Sequence, residues 1–249
     1  MANEQKFPSE TIDLPSKGKL YPKESVLSSG KLEIKYMTAK EEDILTSQNL
    51  IKKGIVIDKL IDSLILTEGI TCDDLTIGDK NAVMVASRIL AYGSEYTCEV
   101  INPNNGNKFT HTFNLADCPF TDIPDDVKDN NFEIELPVSK KKIGFKILTG
   151  KDEKNIEAEL KSIAKLNQQV TPELTTRLRY SITSVDGENS TEVINSSVQN
   201  MLARDSMFLR NEIKKLTPDI KLEQEVDLEG ESVKVNIPMT VNFFWPDTQ

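Results

Sequence analysis

Histidine is almost missing from this chain of 249 residues. The one copy, His111, stands between Thr110 and Thr112, with no cysteine at ligand spacing beside it. A histidine base needs a partner to orient it, and a zinc site needs several nitrogen or sulfur ligands. His111 is therefore read as structural. Cysteine is scarce as well. Cys72, Cys98 and Cys118 are too few and too scattered for a disulfide framework, and reduced, buried thiols are expected. No apolar run reaches the length of a membrane span, and the N-terminus lacks the charged-then-apolar order of a signal peptide. Positive charge is short: 30 Lys and Arg stand against 40 Asp and Glu, a formal net charge of -10. Nucleic acid and anionic membranes both call for a basic face, so neither is expected as a partner. Catalytic signatures are absent too. There is no Gly-rich phosphate loop, no Gly-x-Ser-x-Gly and no metal-binding helix pair, and no cofactor or metal is expected.

What is present is enough for a sizeable core, in one large domain or two intimately packed ones. Hydrophobic residues make up 38% of the chain and charged residues 28%. The most informative stretch runs from Leu32 to Leu45. Its first half alternates apolar and polar residues, which predicts a strand. Its second half starts a helix. Thr38 is placed as N-cap, Glu41 closes a capping box, and Glu41, Glu42 and Asp43 complement the helix dipole. A matching stretch runs from Ile143 to Ile156, where Thr149, Lys151 and Glu153 stand for Thr38, Lys40 and Glu42. The pattern predicts an α+β fold of two pseudo-repeated halves, each with helices and an antiparallel β-hairpin.

In chain order, residues 1–30 read as an extended N-terminal arm, punctuated by Pro8, Pro15, Pro22, Gly18 and Gly30. Residues 31–116 form the first half. Helices are expected over 39–52, over 55–66 with Leu60, Ile61 and Leu64 on one face, and over 79–92, closed by Gly93. Period two then predicts a hairpin of 96–101 and 108–115 around Asn102-Pro103-Asn104-Asn105-Gly106-Asn107. Residues 117–131, rich in Asp, Asn and Pro, read as a linker loop. Residues 132–249 form the second half: a strand pair, helices over 151–166, 171–182 and 193–216, and a hairpin of 222–228 and 232–237.

Carboxylate pairs are the remaining route to an enzyme. Glu41-Glu42 and Asp73-Asp74 are read as a helix start and a loop. Asp205 and Ser206, placed in mid-helix, face different ways and make no pair. The expectation is a protein that is not an enzyme. The alternative is a hydrolase-type enzyme with a carboxylate-based site on the 116–131 loop.

Four segments together point to a family: Leu14-Pro15-Ser16-Lys17-Gly18, then Tyr36-Met37-Thr38-Ala39-Lys40-Glu41-Glu42-Asp43-Ile44-Leu45, then Ala91-Tyr92-Gly93, and the closing Asn242-Phe243-Phe244-Trp245-Pro246-Asp247. With these the chain resembles the baseplate hub assembly proteins of T-even-type contractile-tailed phages. Members of that family often carry Cys-x-x-Cys knuckles at the hairpin turns. Here those turns read Asn102-Pro103-Asn104-Asn105 and Leu228-Glu229-Gly230-Glu231, so the resemblance implies plain hairpins without zinc. It further implies a late viral protein that builds the baseplate hub in the host cytoplasm, as a chaperone-like assembly factor or a subunit. Its partners would be other tail or hub proteins.

Two segments are candidate partner contacts. The arm offers Leu14 and Tyr21, either laid on its own domain or docked on a partner by strand addition. The tail offers Phe243, Phe244 and Trp245. Read as a strand, it would point Phe243 and Trp245 one way and Phe244 the other. Either both faces are covered internally or one is left for a partner.

Overall fold

The computed structural model of the chain describes residues 7–166, 171–228, 231–239 and 241–244. Its strands are β1 (Ser9–Asp13), β2 (Lys31–Lys35), β3 (Glu95–Ile101), β4 (Lys108–Asn114), β5 (Phe132–Glu135), β6 (Lys142–Phe145), β7 (Ile182–Val185), β8 (Glu223–Leu228) and β9 (Glu231–Asn236). Its helices are α1 (Ala39–Thr46), α2 (Gln48–Lys53), α3 (Val56–Leu64), α4 (Ile77–Tyr92), α5 (Gly150–Lys165), α6 (Glu173–Ser181), α7 (Thr191–Gln199) and α8 (Ala203–Leu216). The strands pair antiparallel as β1-β2, β3-β4, β5-β6-β7 and β8-β9, so the architecture is α+β.

The junction at Thr38 forms as its residues dictate. The Glu41 carboxylate accepts from the Thr38 N–H at 3.0 Å and the Thr38 hydroxyl at 2.7 Å, and Lys35 donates to it at 2.7 Å. At the second junction Asp152 accepts from the Thr149 N–H at 3.0 Å and from Lys146 at 2.8 Å. The lysine three residues before each threonine is thus part of the recurring device. Where β7 lies along β6, the first half has only a bridge from Ile34 to Ile65 beside β2. The junction recurs in detail; a duplication of the whole half does not follow from it.

Three expected elements come out differently. The helix over 39–52 breaks at Ser47, whose ψ of 102 is extended. The helix over 193–216 breaks at Asn200–Leu202. There the Asp205 carboxylate takes the backbone N–H groups of Val138 and Ser139 at 2.9 and 3.0 Å, so Asp205 sits in the first turn of α8 rather than in mid-helix. Ile182, the expected end of the helix before, instead opens β7, whose β-branched Ile182, Thr183 and Val185 favour pairing with β6.

The arm is built into the fold. β1 pairs with β2 along its whole length, and Leu14 and Tyr21 are buried. Asp79, fully buried in the first turn of α4, accepts the Ser16 N–H at 2.9 Å and the Tyr21 hydroxyl. The Tyr21 oxygen in turn accepts the Thr76 N–H at 2.9 Å. Burial, then the adjacent Asp79, push the Tyr21 phenol up.

Packing ties the two halves together. One core joins Leu60, Leu64, Tyr96 and Phe113 to Val226 and Val235 of the terminal hairpin and to Phe243 and Phe244. A second gathers arm residues with Ile34, Ile61 and Val83, and a third lies around Phe145, Leu178 and Leu209. A small cluster joins Leu20 of the arm to Ile123 and Ile147. The 117–131 segment is bonded on both sides, for Thr121 donates to the Asp219 carbonyl at 2.7 Å and Asp122 pairs with Lys17 of the arm at 3.0 Å. Two helix starts meet loop backbone directly. A Cβ on Gly78 would lie 1.8 Å from the Pro218 carbonyl oxygen, and one on Gly150 would lie 2.2 Å from that of Cys72.

Gly78→Ala is therefore expected to cost about 3 kcal/mol or more, read by urea unfolding, because neither backbone segment has room to move. A second expectation concerns pH. Burial alone would raise the Glu41 carboxyl, but the bonds from Lys35 and Thr38 outweigh it and hold it below the ordinary 4.5. Burial likewise opposes, and the Val138 and Ser139 amides overcome it, in holding Asp205 below 3.8. A carboxyl lowered in the folded state adds stability that is complete above its unfolded value and is lost as pH falls through its folded one. Thermal melts should therefore show stability declining below about pH 4.5. Glu41→Gln should lower the melting temperature near neutrality and make that acid decline shallower.

Candidate functional site

The candidate contacts named from the sequence are placed inside. Val241–Phe244 is a 3-10 turn, not a strand. Successive side chains diverge by about 120° in such a turn rather than alternating, so two neighbours can both face a core. Phe243 is 0% exposed and Phe244 1%. The Phe243 ring stands edge-on to Tyr96 at 5.0 Å and to Phe244 at 5.3 Å. Leu14 and Tyr21 are enclosed as described, so none of these four presents a free side chain to a partner. Trp245 lies outside the described residues.

A residue the sequence reading passed over holds the tail. Arg88, on α4, is 3% exposed and pairs with no carboxylate among the described residues. Its Nε donates to the Phe243 carbonyl at 2.9 Å, and its terminal nitrogens donate to the carbonyls of Gly93 and Glu95 at 3.1 and 3.3 Å. Its guanidinium also lies 5.1 Å from the centre of the Tyr92 ring. Burial pushes its pKa below the usual arginine value. An arginine in the largely apolar run from Ala82 to Leu90 was the available signal.

The carboxylates are committed to internal partners. Asp74 accepts the Thr71 N–H and hydroxyl at 2.9 and 2.8 Å. On the 116–131 loop Asp122 pairs with Lys17 and Asp125 with Lys19, both aspartates being exposed. Asp58, Cys72 and Asp73 bring ligand atoms within 4.8 Å of one another. Asp58, however, holds Lys80 at 2.5 Å, and Asp73 holds Lys154 at 3.0 Å. Burial and then Asp58 push the Cys72 thiol up. His111 points inward from β4, 4.7 Å from the Phe113 ring and 6.5 Å from that of Phe109, opposite Cys98 in register. Asp205 serves the β5-β6 turn, and the buried Ser206 hydroxyl has no partner among the described residues.

Asp58, Lys80, Glu153, Lys154, Glu157 and Lys161 line a cleft between α3 and α5, where Asp58 holds Lys80, Glu157 holds Lys161 and Glu153 holds Arg177. Apolar side chains left outside include Ile101 at the hairpin end, Leu166 at the end of α5, and Val138, Leu202 and Met207 around the start of α8. Phe243→Ala and Phe244→Ala, made singly, are each expected to lose about 3–5 kcal/mol in chemical denaturation, the range for emptying a buried phenylalanine site. A variant that melts like the parent would show that its ring is not core.

Comparison with curated proteins and with solved structures returns no match. A family model described as T4 bacteriophage base plate protein matches residues 8–136, from the arm through α1–α4 and the first hairpin to the end of β5. That span is more than half of the chain, and the chain belongs to the T4 bacteriophage base plate protein family.

Proposed function

We propose that this protein builds the hub of the phage base plate by binding other tail or hub proteins, without catalysing a reaction, in the cytoplasm of the infected host. The family match carries this reading, since it covers the arm and the first hairpin together. The site geometry supports it. Carboxylates of the 116–131 loop and of the Asp58–Asp73 cluster are ion-paired to Lys17, Lys19, Lys80 and Lys154, and Asp205 binds backbone amides. No helix among the described residues is long and apolar enough to cross a membrane.

The test is genetic and compositional. A phage carrying a stop codon early in this gene should yield tails arrested before the hub is complete, seen by electron microscopy, with rescue by the gene supplied in trans. Normal hubs without the protein would overturn the reading. Mass spectrometry of finished particles then separates the two roles: a subunit stays at fixed stoichiometry, and an assembly factor is lost.

A further inference from the structure

Charge is unevenly distributed along the chain. Residues 137–216 carry 14 Lys and Arg against 10 Asp and Glu, while the rest carries 16 against 30. Much of the excess lies on one helix face. The exposed half of α8 presents Arg204, Arg210, Lys214 and Lys215, with Met207 among them, and no carboxylate. Its two acids lie on the other half: Asp205 under the β5-β6 turn, Glu212 bonded to Lys215 at 2.6 Å. Arg204, Arg210 and Lys214 make no ion pair among the described residues. Lys214 and Lys215 suit the negative end of the helix dipole, but Arg204 sits in the first turn, where a cation is unfavourable. Helix stability does not account for it. On α5 and α6 opposite signs pair along the helix, as in Lys161 with Glu157 and Arg177 with Glu173. Around Arg204 the apolar Val138, Leu202 and Met207 are 44%, 50% and 53% exposed, and Lys140 and Lys141 follow in the same β5-β6 turn. Cations bordering exposed apolar side chains are the composition of a docking face.

A fitting counterpart is in the chain itself. The outer face of β8 carries Glu223, Glu225 and Asp227, exposed and alternating with the inward Gln224 and Val226, with Lys234 of β9 opposite Glu225 and 3.6 Å from Glu223. That stripe spans about 14 Å at strand rise. Arg204 to Lys214 spans about 15 Å at helix rise. We propose that a second copy of this protein is the partner of α8, its β8 carboxylate stripe laid on the cationic half of the helix.

Sedimentation equilibrium of the full purified chain tests this. Self-association is expected at about 0.01 M salt and should be lost towards about 1 M, across which the screening length falls from about 30 Å to about 3 Å. Arg204→Glu with Arg210→Glu should weaken association by about tenfold or more while leaving the melt intact, because an acid at position 204 suits the helix start. Glu223→Lys with Glu225→Lys should weaken it similarly, and mixing the two variants should restore a mixed complex. A chain that stays monomeric at low salt, or association that survives the Arg204/Arg210 variant, overturns the proposal. A monomeric chain that binds anionic vesicles through α8 also overturns it, and assigns the helix to a membrane surface.

Discussion

One carboxylate with no exposed surface, Asp79, fixes the assembly of the first half. It sits in the first turn of α4, where negative charge is favoured, and receives the Ser16 N–H and the Tyr21 hydroxyl. Those bonds hold the turn after β1 against the start of α4. With the turn fixed, Leu14 and Leu27 close one core, and Leu20 reaches Ile123 and Ile147 across the chain. The proline-punctuated segment thus becomes a clamp on both halves. Asp219 stands close enough that, with burial acting first, Asp79 helps to raise its carboxyl. The Asn81 amide and the Ile220 N–H bond that second acid.

The same solution recurs away from Asp79. Asp205 binds two turn amides, and Arg88 binds three carbonyls, one of them in the tail. In each case a buried charged group is satisfied by backbone from a segment remote in sequence. Such an arrangement gains little net stability over a well-packed apolar one, since desolvation offsets most of the attraction. Its effect is on geometry. A backbone amide at a fixed distance from a fixed carboxylate sets the position of its segment more narrowly than apolar contact does.

Legibility in the sequence followed the range of the interactions. The Thr38 and Thr149 caps, the Gly93 stop and both hairpins could be read because capping and alternation act over a few residues. The break between α7 and α8 could not, because it depends on Val138 and Ser139 reaching Asp205 from the β5-β6 turn. The tail was misread for a related reason. Phe243-Phe244 looks like a strand by alternation, yet both rings enter one core as a 3-10 turn anchored by Arg88, which no local pattern couples to them. Leu14, Tyr21, Phe243 and Phe244 are buried in the same way: apolar residues in a terminal segment signal burial or binding equally well until the covering element is known.

That covering element also governs how the second half relates to the family-matched span. The match ends at residue 136, yet Val226, Val235, Phe243 and Phe244 complete the core that α3, α4 and the first hairpin leave open. The later residues are not an appendage to a self-sufficient first half. Directly after α8, Pro218 lies against Gly78 and Asp219 is bonded to Asn81, both on α4. The start of that same helix carries Asp79 and so holds the arm. The segment directly after α8 and the arm thus meet at the same end of α4.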